Sequence, residues 1–215
     1  YSHSQKDEEQ IFAWIRWLPT VLTKQIAPSI AEPVAQTFQS FMSVGKVPAA
    51  WKLAIIKPLF KRGASSDPAN YRPVSLTSVF SKLMEKVVVD ELLKYLLLNK
   101  FITKQQHGFL SRKSTATNLL ESLNDWTLSI ENKVGISIAY IDFAKAFDSV
   151  NHNKLKAKLI SYGIGGNLLL WIIDFLSCRS LQTIVGNCLS SVAYISSGVV
   201  QGSCLGPVLF FNIYK

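Results

Sequence analysis

The stretch Tyr140-Ile-Asp-Phe-Ala-Lys-Ala-Phe-Asp-Ser-Val150 sets one carboxylate, Asp142, at the end of an apolar run, and a second, Asp148, shortly after it. A carboxylate is costly to bury alone, so Asp142 needs either a turn to cap or a cation to bind. Magnesium suits the second role. It is a hard ion that takes oxygen ligands, often only one or two carboxylates beside substrate phosphates. In phosphoryl transfer, two such ions activate the attacking oxygen and stabilise the leaving one. Between the carboxylates stands Phe147, a ring that serves either as core or as the wall of a site. Further on, Gly202 follows Gln201, where a glycine lets the backbone approach a ligand closely or simply turns the chain into a helix.

Charge supplies the complementary feature. The net charge is +9, and residues 46–113 carry thirteen basic against four acidic side chains, which accounts for all of it. A concentrated basic segment favours polyanions, nucleic acid before a membrane surface, although a solvated lysine-rich face has the same composition.

These residues need a scaffold, and the pattern around them predicts one. Residues 21–44 have helical spacing interrupted by Pro28 and Pro33, which predicts two short helices. Residues 51–60 are apolar and β-compatible, and the turn-rich segment 61–68 precedes Tyr71-Arg-Pro73. Ser78 can cap a helix to about Leu98 with Leu83, Val87, Leu92, Tyr95 and Leu96 inward. Ser114 can cap another, with Leu119, Leu120, Leu123, Trp126 and Ile130 inward. The run 135–142 reads as a central strand buried on both faces and ending at Asp142. Helices are expected over 151–162, stopped by Gly163, and over 167–177. A strand pair, 181–185 with 192–195, turns at Gly186-Asn187, and an apolar helix begins near Val208. Helices and strands in this order predict an α+β fold.

The bulk composition excludes several classes. With 48% hydrophobic and 17% charged residues, the chain can build a core and is not a disordered one. No apolar run is long enough to cross a membrane, and the polar N-terminus, which lacks an initiator Met, is no signal peptide. The chain reads as an internal piece of something longer. Cys178, Cys188 and Cys204 have no metal-ligand spacing and fit buried or free thiols in a reducing compartment, so an intracellular location, nucleus or cytoplasm, is expected rather than secretion.

Taken in order, five motifs resemble those of one family. Asp142-Phe-Ala-Lys-Ala-Phe-Asp148 resembles the first palm motif of reverse transcriptases, above all the LINE-type, jockey-like elements without long terminal repeats. Gly198-Val-Val-Gln-Gly-Ser-Cys-Leu-Gly-Pro-Val-Leu-Phe210 resembles their second palm motif, with Gly206-Pro207 where many members carry Ser-Pro. Trp51-Lys-Leu-Ala-Ile-Ile-Lys-Pro-Leu-Phe-Lys-Arg-Gly63, Asn70-Tyr-Arg-Pro-Val-Ser-Leu76 and Gln106-His-Gly-Phe-Leu-Ser-Arg-Lys-Ser-Thr115 resemble the successive fingers motifs. The match runs from residue 21 to 214, roughly nine-tenths of the chain.

The resemblance implies a right-hand polymerase fold: a non-matching segment 1–20, fingers over 21–134, a partial palm over 135–215, and no thumb. It implies RNA-directed DNA synthesis by two-metal nucleotidyl transfer, with RNA template, DNA primer or target, deoxynucleoside triphosphates and Mg2+ as partners. Asp142 would be the catalytic metal ligand, helped by the Phe143 carbonyl. Arg72 would grip the triphosphate, since its planar fork suits phosphate oxygens. Lys61 would assist, with Lys57 as competitor. Phe147 would lie beneath the sugar and reject a 2′-hydroxyl, and Gln201 and Gly202 would line the nascent base pair and template. Asp148 would make a structural hydrogen bond near the start of the next helix. Its spacing from Asp142 also fits an RNA-dependent RNA polymerase, the main alternative.

The family's third palm motif, an aromatic-x-Asp-Asp hairpin, does not occur before Lys215. The expectation is a truncated chain with an incomplete carboxylate cage, inactive alone. A further alternative is a decayed element product, at most a basic nucleic-acid-binding fragment, with Phe210 and Phe211 left exposed.

Overall fold

The computed structural model describes residues 20–213, so the N-terminal segment 1–20 lies, but for its last residue, outside the described residues. Helix α1 (Thr20–Val44) is a single element containing both Pro28 and Pro33, not two short helices. Each proline forfeits a backbone hydrogen bond. Both sit on the exposed face, where the freed carbonyls can be hydrated. The opposite face, Ile30, Val34, Phe38, Phe41 and Met42, packs against the core and carries the helix through. Phe38 and Phe41 meet buried Trp51 edge-on at 6.1 and 5.8 Å. Such pairs add roughly 0.5–1.5 kcal/mol each beyond the area they bury.

Strand β1 (Leu53–Phe60) pairs antiparallel with β2 (Tyr71–Leu76), in register from Ile55 opposite Leu76 to Phe60 opposite Tyr71. On its other side β1 pairs in parallel with β3 (Arg179–Val185), Leu53 opposite Ser180. A parallel pair needs a long crossover. Four helices lie between the two strands: α2 (Val79–Leu98), α3 (Thr115–Glu131), α4 (His152–Ser161) and α5 (Gly166–Leu176). The expected hairpin forms at Gly186-Asn187, with the returning chain split into β4 (Cys188–Leu189) and β5 (Ala193–Ile195), both antiparallel to β3. The result is a mixed sheet among helices. None of the described helices is long and apolar enough to cross a membrane.

The core lies where α2, α4, α5 and the last helix, α6 (Leu205–Ile213), converge. On α2 the buried face is Phe80, Ser81, Met84, Glu85, Val88, Val89, Leu92 and Leu96, while Leu83, Val87 and Tyr95 of the expected stripe are exposed. The apolar residues almost encircle this helix, so periodicity does not fix its inward side. Phe210 and Phe211 also depart from expectation. They are half-buried and pack against the core, because Leu205, Val208 and Leu209 anchor α6 beneath them.

Two further expectations fail together. The run 135–142 is not a strand: it has no ladder partners, and Tyr140 and Ile141 are each 82% exposed. Helix α3 has the expected cap, with Ser114 Oγ accepting from Thr117 N–H and Thr117 Oγ1 accepting from Ser114 N–H. Yet it buries no residue, and Leu119, Leu120, Leu123 and Ile130 face solvent. A strand exists only where a neighbour closes its hydrogen bonds, and a stripe is buried only where something covers it. Among the described residues nothing does either.

Asp174, on α5, ties the first helix–strand junction to the core. It accepts from Val47 N–H at 2.9 Å and forms ion pairs with Lys52 at 2.8 Å and Lys46 at 3.2 Å. Burial alone pushes its carboxyl up, but the Lys52, Val47 and Lys46 hydrogen bonds outweigh it and hold the group below its ordinary value. A depressed acid stabilises the fold above its unfolded pKa, and that contribution is lost as pH falls through the folded one. Asp174→Asn should therefore cost about 2 kcal/mol at neutral pH, with the gap to the parent closing in acid. Urea unfolding at pH 7 and pH 3 reads this directly, and a gap that stays constant would contradict it.

Candidate active site

The site is built from three separated segments, 61–76, 144–150 and 198–202, fixed by backbone bonds within and between them. Loop 61–70 joins β1 to β2 and is closed by Lys61 N–H donating to Asn70 O at 2.8 Å. Inside it, Asp67 accepts from Ala69 N–H, Asn70 Nδ2 donates to Ala64 O, and the Tyr71 hydroxyl donates to Ser65 O. Gly63, at φ +93, packs where a Cβ would lie 2.7 Å from the Asn70 side chain. The loop is thus a defined turn, and it keeps Lys61 just beyond the strand pair that carries Arg72.

The turn 144–149 follows Asp142 and includes Lys145 at φ +49. Asp148 N–H and Ser149 N–H both donate to Lys145 O. Two long-range bonds then stitch this turn to the glycine-rich segment: Val199 N–H to Phe147 O and Gly198 N–H to Val150 O, both 2.8 Å. His152 Nε2 donates to Gly198 O at 2.7 Å. Close approach explains the glycine, because a Cβ on Gly198 would lie 2.9 Å from Asp148 Cα and from Phe147 O.

A third stitch completes the arrangement. Ser75 N–H, on β2, donates to Gln201 O at 2.9 Å. Next to it Gly202 adopts φ +97, and a Cβ there would stand 2.8 Å from Ser75 O. No L side chain fits that space without moving the strand.

These constraints leave a cleft of about 1140 Å³ whose walls include Lys61, Arg72, Phe147, Gln201 and Gly202. Lys145, Asp148 and Phe109 line it too; Lys57 does not. Phe147 is half-buried, with one face on the cleft side of the core and its ring stacked on Phe210 at 4.9 Å. It is therefore wall and core at once. Three cations, Lys61, Arg72 and Lys145, share the cleft with one carboxylate, Asp148, an arrangement that suits a polyanionic ligand.

The structure does not bring Asp142 and Phe143 into this cleft. Asp142 is exposed on the unladdered stretch, and Phe143 is 54% exposed. Among the described residues no three His, Cys, Asp or Glu side chains converge on one point. One carboxylate and one carbonyl are an incomplete ligand set for magnesium, which also takes substrate phosphates or a second carboxylate. The expected structural role of Asp148 also changes hands. Asn151 Oδ1 caps α4, accepting from Asn153 and Lys154 N–H, while Asp148 contributes its backbone carbonyl, which accepts from Ser197 Oγ.

One side chain that shapes the site lies outside every motif quoted from the sequence. Glu85 is fully buried on α2 and accepts from Cys204 N–H at 2.8 Å and Leu205 N–H at 3.3 Å, capping α6 just past Gly202. The Ser81 hydroxyl donates to its other oxygen at 3.1 Å. Burial pushes the carboxyl up, against the lowering effects of the Leu205, Ser81 and Cys204 hydrogen bonds and of the Arg179 charge. A charged residue in phase with Ser81, Val88 and Leu92 is the one signal the sequence offers for it.

Comparison with known proteins shows the family. The profile of the family described as reverse transcriptase (RNA-dependent DNA polymerase) matches residues 60–214. The chain belongs to the reverse transcriptase family. It is 36% identical over 180 residues to the RNA-directed DNA polymerase from mobile element jockey of Drosophila melanogaster, covering 82% of this chain and 19% of that relative. The Drosophila funebris protein of the same name is 32% identical, over 80% of this chain and 19% of the relative. A probable RNA-directed DNA polymerase from transposon BS of Drosophila melanogaster is 28% identical, over 82% of this chain and 20% of the relative. This reverse transcriptase segment thus spans about a fifth of the length of the curated relatives it matches.

The Ser75–Gly202 contact gives a test of how firmly the cleft is held. Gly202→Ala should cost about 2 kcal/mol or more in denaturant unfolding, from forced φ and contact together. Gly135→Ala, where nothing lies within 4 Å of the added Cβ, should change little. Equal effects at the two positions would show that the contact does not constrain the chain.

Proposed function

We propose that this chain is the nucleotide-holding part of an RNA-directed DNA polymerase from a LINE-type retrotransposon without long terminal repeats. The observation that carries the reading is the gathering of Lys61, Arg72, Phe147, Gln201 and Gly202 around one cleft from three stretches of sequence. On this reading residues 21–134 are fingers and 135–215 a part of the palm of a right-hand polymerase. Arg72 and Lys61 hold the triphosphate, the guanidinium as a fork and the ammonium as a point charge. The Phe147 ring, backed by Phe210, lies under the sugar, where its rigidity excludes a 2′-hydroxyl. The Gln201-Gly202 turn lies along the nascent base pair, with RNA template and DNA primer entering past it.

Asp142 and the Phe143 carbonyl are the ligands this chain offers to a magnesium ion. Further carboxylates are needed to compete with water for the ion. The exposed apolar face of α3 and of the run 135–142 is where the rest of a palm would pack. Work on element RNA and chromosomal DNA puts the protein in the nucleus or cytoplasm.

Three outcomes test the reading. The 215-residue chain should bind a fluorescent deoxynucleoside triphosphate in Mg2+ buffer, and Arg72→Ala should weaken binding about tenfold, or roughly 1.4 kcal/mol. Phe147→Val should narrow the preference for deoxy- over ribonucleoside triphosphate by a similar factor; a wild-type preference for ribonucleotides would favour an RNA polymerase instead. With RNA template, DNA primer, Mg2+ and all four deoxynucleotides, the chain alone should give no primer extension. Any template-dependent extension would refute its inactivity.

A further inference from the structure

Glu85 touches no residue with a proposed substrate role, yet it holds the segment that contains two of them. The Gln201-Gly202 turn is gripped on both sides. From β2, Ser75 N–H binds Gln201 O, and Ser75 O fills the space beside Gly202. From α2, the Glu85 carboxylate takes the Cys204 and Leu205 N–H groups, and Ser203 Oγ accepts from Gly206 N–H at 2.8 Å to finish the first turn of α6. Without Glu85, two N–H donors at a buried helix start lose their acceptor.

The burial makes this tie stiff. Glu85 is 0% exposed and is oriented by the Ser81 hydroxyl one turn before it. Ser81 itself is buried at 1% exposure, so no solvent route lets the carboxylate swing away. Because β2 also carries Arg72, the two grips make the triphosphate-side arginine and the Gln201-Gly202 turn parts of one body.

We propose that Glu85 is a positioning residue for the nucleotide site: by clamping the start of α6 to α2, it sets where Gln201 and Gly202 stand relative to Arg72. This rests on the reading of the cleft as a nucleotide site. A carboxylate is not required for its charge as such. Any acceptor of the same reach should serve, and a shorter one should not.

The test compares Glu85→Gln, which keeps the reach, with Glu85→Asp, which keeps the charge but shortens it, and with Glu85→Leu. Two readouts are taken on the 215-residue chain: amide hydrogen exchange across residues 201–205, and the Kd for a fluorescently labelled deoxynucleoside triphosphate in Mg2+ buffer. Glu85→Gln should stay within about twofold of the parent in both. Glu85→Asp and Glu85→Leu should speed exchange at Cys204 and Leu205 about tenfold and weaken the Kd at least fivefold, with exchange in β1 and β3 unchanged. Should Glu85→Leu fail to fold, Glu85→Asp decides the matter alone. If the parent binds triphosphate and the Asp variant matches it in both readouts, the positioning role is overturned while the cleft reading stands. If the parent binds no triphosphate, the cleft reading falls and takes the role with it, even where exchange at Cys204 rises.

Discussion

The segment 198–202 has to satisfy partners on two sides at once, and the rest of the cleft follows from that constraint. Gly198 and Val199 bond backward to the turn 147–150, while Gln201 bonds sideways to Ser75 on β2. These are backbone groups in the interior, where an unmade hydrogen bond is costly, so their geometry tolerates little slack. Two of the residues are glycines because the partners come too close for a Cβ, Asp148 and Phe147 against Gly198, Ser75 against Gly202. Phe147 and Arg72, far apart in sequence, are brought to one cleft by the same short strip of chain. Backbone bonds do most of the placing, and the Phe147 ring adds its stack on Phe210.

This division of labour explains which parts of the molecule are legible in the sequence. The turn signals at Gly186-Asn187, the stop at Gly163 and the Ser114 cap depend on local chemistry, and all three stand as expected. The cleft-lining residues Lys61, Arg72, Phe147, Gln201 and Gly202 are singled out by motif resemblance, whereas residue spacing alone does not show that they share a cleft. The choice between Lys57 and Lys61 as cleft lining turns on loop 61–70. Its internal bonds from Asp67, Asn70 and Tyr71 give a defined turn, where composition shows only a run of turn formers.

The sequence pattern misleads where the deciding context is of longer range. In α1 the prolines count locally as breakers, but their exposed position makes the lost bonds cheap beside the packing of Phe38 and Phe41 on Trp51. In α2 the apolar residues are so numerous that Leu83 and Met84 are equally plausible inward positions, and only packing in the core decides for Met84. The run 135–142 and helix α3 err in the opposite direction. Their patterns are those of buried elements, yet burial requires a second surface, which the described residues do not supply. Pattern records what an element was selected to pack against, whether or not that partner is present.

That distinction bears on Asp142. Its side chain belongs to a stretch that lacks ladder partners, whereas Phe147, only a few residues on, is held by backbone bonds and by the Phe210 ring. The two ends of one motif are therefore under different control. The downstream end is positioned by contacts made within this chain and forms part of the cleft wall. At the upstream end, the Asp142 carboxylate stands on unladdered backbone outside the cleft that Arg72 lines. Metal chemistry would need a carboxylate fixed relative to its substrate to a fraction of an ångström. The boundary between a fixed cleft wall and an unladdered carboxylate thus falls within a single heptapeptide, between Asp142 and Asp148.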